Sequence, residues 1–153
     1  MDAKMINPFI EAISNIMPQL GFQSVTKGKI SVREQFVESK GVTILVGLTD
    51  DARGNIAYNM TEETAMQIAS TMMMGMPVNE MDDMAQSAIS EMTNMITGNA
   101  ATNFEKMNMR VDISPPSLVV GSKFKAKVSS GKYLAIEIII DSQILELNVG
   151  VES

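Results

Sequence analysis

The feature that most constrains this chain is a helix pattern that runs from about residue 82 to residue 107. At 3.6 residues per turn, one side of this helix is apolar and predicts a face packed on a core, formed by Ala85, Ile89, Met92, Ile96 and Ala100. On the opposite side, Ser87, Glu91, Asn94 and Gly98 fall within roughly 60° of one another. These four residues, the polar stripe, are predicted to face outward for contact or catalysis.

Polar residues at this spacing are also typical of the solvated face of any surface helix. Two members of the polar stripe favour a functional interpretation. Asn94 is a poor mid-helix residue, because its amide competes with backbone hydrogen bonds. Gly98 costs ~1 kcal/mol relative to alanine in a helix interior. On the outward side it has no core to pack, but it would let another surface come close.

The rest of the chain alternates helices with strands. Residues 3–20 predict an amphipathic helix, and residues 29–38, 42–48 and 54–60 predict strands. A further helix, capped by Thr61, is expected to end near Met74. After the long helix, strands are expected from about Val111 and at 124–128, 133–140 and 144–151, with turns at 129–131 and 141–142. Pro115 and Pro116 interrupt the first of these strands and place it at an edge or a bend.

This order predicts one α+β domain over residues 1–153, with helices packed on a largely antiparallel β-sheet. Helix and strands occur twice, which indicates a degenerate internal repeat. Residues 7–14 align with residues 87–94, so that Glu11 matches Glu91 and Ser14 stands where the second copy has Asn94.

Composition excludes several kinds of chemistry. The chain has no cysteine and no histidine, so disulfides, thiolate metal sites and histidine bases are ruled out. A net charge of −6 without clustered Lys and Arg argues against nucleic acid. No apolar run is long enough for a membrane span, and no secretory signal precedes the first helix, so we expect a cytoplasmic protein. The 15 methionines fit either a soft core or an adaptable binding surface.

The central motif reads Ser87-Ala-Ile-Ser-Glu91-Met-Thr-Asn94-Met-Ile-Thr-Gly98. Met-Met-Gly-Met precedes it at residues 73–76, and Val-Asp-Ile-Ser-Pro-Pro follows at residues 111–116. With these segments and the opening residues 1–7, the whole chain resembles the CheC/CheX/FliY family of bacterial chemotaxis phosphatases, and is most similar to its CheX members. The resemblance implies a CheC-like fold. CheC members carry two such motifs, whereas CheX members carry only the later one, which matches the serine at position 14.

The resemblance also implies a function: dephosphorylation of the aspartyl-phosphate of the response regulator CheY. Asn94 would orient the attacking water, and Glu91 would pair with a lysine of the regulator, so these two are the expected catalytic residues. Ser87 and Gly98 would contact the partner. No cofactor or metal is expected on this chain, because the regulator itself would hold Mg²⁺.

Two other functions remain open. A noncatalytic CheC-like adaptor or flagellar-switch-type module would share the fold, although switch relatives lack the Glu and Asn that stand here at Glu91 and Asn94. A Met-rich peptide-binding domain would need a contiguous apolar groove at the surface.

A homodimer is expected as well. Residues 134–140 and 144–149 form two strongly apolar strands at the end of a meander, and a bare apolar edge promotes aggregation. Pairing of the C-terminal strands with a second copy would remove this edge. The family resemblance also implies a dimer.

Overall fold

The computed structural model describes residues 3–153; Met1 and Asp2, where the predicted domain and the family resemblance begin, lie outside the described residues. A 3-10 turn (Ala3–Ile6) precedes α1 (Asn7–Gln19). The first strands are β1 (Val25–Glu38), β2 (Gly41–Asp50) and β3 (Arg53–Thr61). They are followed by α2 (Glu62–Met72) and α3 (Asp83–Glu105). The chain ends with β4 (Val111–Ile113), β5 (Ser117–Gly121), β6 (Lys125–Ile140) and β7 (Gln143–Glu152).

The strands form one antiparallel sheet in the order β1-β6-β7-β3-β2, with β4 and β5 both paired to the outer side of β2. Exchanging β1 with β5, β2 with β6 and β3 with β7 reverses the strand order and preserves every pairing among these six strands; of the described strands, only β4 has no counterpart. The sheet therefore has a pseudo-two-fold axis between β3 and β7. This confirms the predicted α+β fold and agrees with the helix-and-strand repeat read from the sequence.

The helices cover one face of the sheet. Successive residues of a strand point to opposite faces of the sheet. On β3, Tyr58 belongs to the apolar cluster that includes buried residues of α1, α2 and α3. Its neighbour Ala57 belongs to a smaller cluster, with Tyr133, on the other face. Beside this smaller cluster, the buried carboxylate of Glu146 accepts bonds from Arg33 at 3.1 Å and Lys40 at 3.2 Å. Burial alone would raise the pKa of Glu146, but the two cations hold it below its ordinary value.

The predicted turn at residues 129–131 is wrong. β6 continues through this segment and stays paired with β1 on both sides of it, because Glu34 lies opposite Lys132 and Phe36 lies opposite Lys127. Residues 128–131 therefore form an enlarged bulge, with four residues opposite the single residue Gln35, whose φ of 57° marks a bend in β1. The small Ser-Ser-Gly residues suit a bulge as well as a turn.

The premise of a bare C-terminal edge is also wrong. β6 lies between β1 and β7, and β7 lies between β6 and β3, so both apolar strands are interior. Their apolar character comes from burial within this sheet. The edges are β1 on one side and β4–β5 on the other. The proline pair, Pro115 and Pro116, separates β4 from β5 at that edge, as the sequence predicted.

Candidate functional site on α3

The start of α3 is fixed by hydrogen bonds to its first turn. The Asp82 carboxylate accepts from the backbone N–H of Ala85 at 2.9 Å, which satisfies one of the free donors at the helix N-terminus. Nearby, the Gln86 side chain donates to the carbonyl of Met81 at 2.8 Å. These contacts determine where α3 begins, and therefore where each later residue lies along it.

The C-terminal half of α3 packs against α1, and the two helices run antiparallel. Phe9 and Phe104 meet edge to face with ring centroids 5.7 Å apart. The buried side chain of Asn103 donates to the carbonyl of Pro8 at 2.9 Å. A buried asparagine side chain without hydrogen-bond partners would destabilise the fold. This bond satisfies Asn103 and links α3 to the first turn of α1.

A buried pair of hydroxyls sets the rotation of α3 over the sheet. Thr97 donates through its Oγ1 to the carbonyl of Thr93 at 2.7 Å, so its oxygen is left to accept from the hydroxyl of Tyr58 on β3, 2.8 Å away. Burial raises the pKa of Tyr58 far above its ordinary value, and the bond to Thr97 offsets this only in part. The neutral phenol therefore holds one side of α3 toward β3.

With this rotation, all four residues of the polar stripe are exposed. The five apolar residues predicted on the other side are buried, which confirms the two faces of the helix. Within residues 3–153, the side chains of Ser87, Glu91 and Asn94 form no hydrogen bond or ion pair. Glu91 and Asn94 lie three residues apart, about 4.5 Å along the axis. A carboxylate and a carboxamide thus stand side by side with their hydrogen-bonding capacity unused.

Gly98 continues the polar stripe one turn beyond Asn94. A Cβ built on Gly98 meets no atom within 4 Å, and its backbone lies outside the left-handed region. Neither packing nor conformation within residues 3–153 therefore requires a glycine here. Because glycine has no side chain, the helix surface at this position stays open to another molecule.

The aligned segment of α1 presents a similar exposed stripe without the amide. Glu11 and Ser14 are both exposed, on the helix that the pseudo-two-fold axis relates to α3. Asn15 is close to α3, where it donates to Asn99 at 3.4 Å. The structure thus brings the two aligned segments to equivalent helices, but only α3 offers a paired carboxylate and carboxamide at the aligned positions.

The methionines divide between core and surface. The structure buries Met5, Met17, Met60, Met81 and Met92. In contrast, Met74 is 96%, Met76 55% and Met84 61% exposed, all near the start of α3. Sequence reasoning did not include these three among the site residues. Of the three, Met84 carries a sequence signal, because it lies seven residues before Glu91 and therefore on nearly the same line of the helix; Met74 and Met76 precede α3 and carry no such signal.

What the site can do follows from its groups. It offers one acid–base or ion-pairing group, one amide able both to donate and to accept, and open space. No set of three or more Asp or Glu side chains in residues 3–153 could hold a metal ion. In the same part of the chain, no helix is long and apolar enough to cross a membrane.

Comparisons with known proteins match this chain to one family over most of its length. The family described as Chemotaxis phosphatase CheX matches residues 42–138. A relative from Thermotoga maritima, named CheY-P phosphatase CheX, is 34% identical over 155 residues, covering 100% of this chain and 99% of the relative.

Two solved structures extend the comparison. A CheC-like superfamily protein from Shewanella sp. PV-4 has a TM-score of 0.86 at 21% identity, covering 100% of both chains. The CheX–CheY–BeF3–Mg²⁺ complex from Borrelia burgdorferi has a TM-score of 0.76 at 25% identity, covering 97% of this chain and 98% of that one.

The helices, the sheet order and the structural matches define a protein of the CheC-like fold. More narrowly, the chain belongs to the CheX family of chemotaxis phosphatases. The family resemblance inferred from the motif around Glu91 and Asn94 is thereby confirmed.

Proposed function

We propose that this protein hydrolyses the aspartyl-phosphate of a CheY-type response regulator. The observation that carries the proposal is the exposed, unpaired Glu91 and Asn94 on α3, in a chain that is 34% identical to a named CheY-P phosphatase. A chain without histidine and cysteine can perform this reaction, because the phosphorylated substrate already carries the reactive group and needs only a positioned water.

Asn94 supplies the positioning group. Its carboxamide oxygen accepts a hydrogen bond from the water, and its nitrogen donates to an oxygen of the phosphoryl group. The water oxygen attacks phosphorus as the bond to the aspartyl oxygen breaks. The aspartate carboxylate leaves, inorganic phosphate forms, and the surplus proton passes to solvent. Holding the water in line removes much of the entropic barrier to its attack.

The other residues of the polar stripe serve docking. Glu91 lies one turn before Asn94 and, lacking a cation partner within residues 3–153, pairs with a lysine of the regulator. Ser87, one further turn away, contacts the same surface. Gly98 lets the partner backbone approach closely. No cofactor is assigned to this chain; acidic residues of the regulator would hold Mg²⁺, and this cation would neutralise part of the negative charge of the phosphoryl group. Such a substrate places the reaction in the cytoplasm.

The test is phosphate release from a phosphorylated CheY-type regulator with and without the protein. We expect acceleration by the wild type and at least ~100-fold less by Asn94→Ala, the range expected for a lost transition-state hydrogen-bonding group. Asn94 is exposed, so its variant should retain the wild-type thermal melt. A noncatalytic adaptor predicts no acceleration by either protein while binding is retained.

We also propose a homodimer, formed through β1 and not through the C-terminal strands. β1 is an edge strand of 14 residues, and among the strands of residues 3–153 it pairs only with β6. Ile30 and Val32 are more than half exposed on it, opposite Ile136 and Leu134 on the helix-covered face. A long edge with exposed apolar side chains is a template for pairing with a second copy.

Light scattering should then give about twice the 16.6 kDa chain mass. Val32→Lys should yield a folded monomer. The matched control is Val120→Lys on β5, the opposite edge, which should remain dimeric. A monomeric wild type would contradict the dimer, and dissociation by Val120→Lys alone would assign it to the other edge.

A further inference from the structure

Three exposed methionines flank the polar stripe at the start of α3. Met74, Met76 and Met84 form this group, the methionine flank. Met76 and Met84 line one depression of about 280 Å³, together with Pro77 and Val78. Met84 lies seven residues before Glu91, about 10.5 Å along the axis and within roughly 20° on the wheel. Met84 is therefore in line with the polar stripe, and Met76 lies beside Met84.

The stability of the chain itself does not account for this flank. Met74 has a φ of 61°, in the left-handed region, where a side chain costs ~1 kcal/mol relative to glycine. The turn that presents it is tied down, since Gly75 donates its N–H to the carbonyl of Ser70 at 2.8 Å and Ser70 Oγ donates to the carbonyl of Met76 at 2.7 Å. An ordered turn thus holds apolar side chains in solvent.

The polar stripe alone is too small to hold a partner. From Ser87 to Gly98 it spans roughly 16 Å of a helix about 10 Å wide, or roughly 160 Å². A specific protein–protein interface of standard size buries about 800 Å² per partner, several times the area of the polar stripe. A regulator docked on Glu91 and Asn94 must therefore also cover surface beside the stripe. Methionine is enriched at the centres of such interfaces because it is apolar and adapts its shape.

Charge indicates what kind of surface fits there. Glu80 and Asp82 line the same depression, and Asp83 is exposed at the first turn of α3. With Glu91 further along the helix, the apolar side chains have an acidic rim. The complementary surface is apolar in the centre and carries basic residues around it.

We propose that the methionine flank is a second docking element for the phosphorylated response regulator, binding an apolar patch with a basic border next to its phosphorylation site. This inference rests on the proposed function, because it extends the same interface. It assigns binding affinity to Met76 and Met84, and leaves the chemical step to Asn94.

The experiment measures binding of a purified CheY-type regulator carrying BeF3 and Mg²⁺, together with steady-state phosphate release. Met84→Glu and Met76→Glu should each weaken Kd by at least about tenfold and raise KM similarly, as expected for a truncated interface anchor. Their kcat should stay within about threefold. The conservative variant Met84→Leu, which keeps an apolar side chain at this position, should bind the regulator with the wild-type Kd. The matched control is Met107→Glu, an exposed methionine beyond the end of α3, which should bind as the wild type does.

The outcomes separate this inference from the proposed function. If the wild type binds and hydrolyses normally, and both Met variants keep the wild-type Kd, the flank is not a docking element although the function stands. Equal weakening by Met107→Glu would show a general charge effect and also overturn the inference. If the wild type neither binds nor accelerates hydrolysis, both proposals fail. Capture of unrelated peptides in preference to the regulator would instead identify a peptide-binding surface.

Discussion

Replacing Gly98 with larger residues should change stability and activity in opposite directions. Gly98→Ala removes a helix-interior glycine, which is worth about 0.5–1 kcal/mol of stability. No atom lies within 4 Å of the added Cβ and the backbone is not left-handed, so nothing in the described chain offsets the gain. For a domain of 153 residues this gain in stability corresponds to a rise in Tm of about 1–4 °C.

The same added carbon should impair docking. Gly98 is exposed one helical turn beyond Asn94, on the surface that the proposed complex covers. Gly98→Leu keeps most of the helix-propensity gain, because leucine is close to alanine in that scale, but it adds three more carbons above the helix. We therefore expect KM to increase from wild type to alanine to leucine, with a rise of about tenfold or more for leucine, which is a loss of about 1.4 kcal/mol of binding.

Thermal melts and steady-state phosphate release on the three proteins provide the measurement. Ser14→Leu is the matched control, since Ser14 is exposed on α1 at the position aligned with Asn94, and it should leave KM unchanged. A Gly98→Ala variant less stable than the wild type would show that the glycine is needed internally. A Gly98→Leu variant with wild-type KM would refute its role in docking.

Other predictions concern the charge on the polar stripe, the aligned segment of α1 and the two tyrosines. Glu91→Gln should weaken binding of the phosphorylated regulator by ~2–5 kcal/mol in titrations, with turnover at saturation preserved; unchanged affinity with lost turnover would move Glu91 to the chemical step. Glu11→Ala should keep full activity, and a loss equal to that of Glu91→Ala in a folded protein would defeat the single-site interpretation. Thr97→Val leaves the buried Tyr58 hydroxyl without its acceptor and should lower the free energy of unfolding, measured in urea, by ~1–3 kcal/mol. Tyr58→Phe should lower it by only ~0.5–1.5 kcal/mol. A larger loss for Tyr58→Phe than for Thr97→Val would contradict the hydrogen bond. Burial raises the pKa of both Tyr58 and Tyr133. The phenols therefore lose their protons at lower pH in the unfolded chain than in the folded one, and stability should fall as the pH rises above about 10. Thermal melts from about pH 8 to about pH 12 should show a smaller decrease in Tm for Tyr58→Phe than for the wild type.

The faces of α3 could be predicted from sequence because helical periodicity is a local property. Residue spacing alone put Glu91 and Asn94 on one side and Ile89 and Met92 on the other, and the structure confirms both faces. The cap at Asp82 and the two-residue turn at residues 141–142 are local as well. Each depends on a few neighbouring residues, whose geometry the backbone fixes.

Strand neighbours could not be predicted in this way. Ser-Ser-Gly at residues 129–131 is equally suited to a turn and to a bulge, and only the continuous pairing of β1 along β6 decided for the bulge. The apolar residues of β7 indicated burial, but sequence does not say whether a neighbouring strand or a second molecule provides it. The sheet order, which puts β7 between β6 and β3, settled that point.

The sequence by itself determined the helical stripe, the alternation of helices and strands, and the family that the motif identifies. Only the tertiary structure decided which surface surrounds the stripe. Tyr58 and Thr97 lie 39 residues apart in sequence, yet their hydrogen bond orients α3. Met76, in the segment between α2 and α3, and Met84, on α3, line one depression. Contacts of this kind depend on how separate elements pack against one another, and residue spacing within one element carries no information about them.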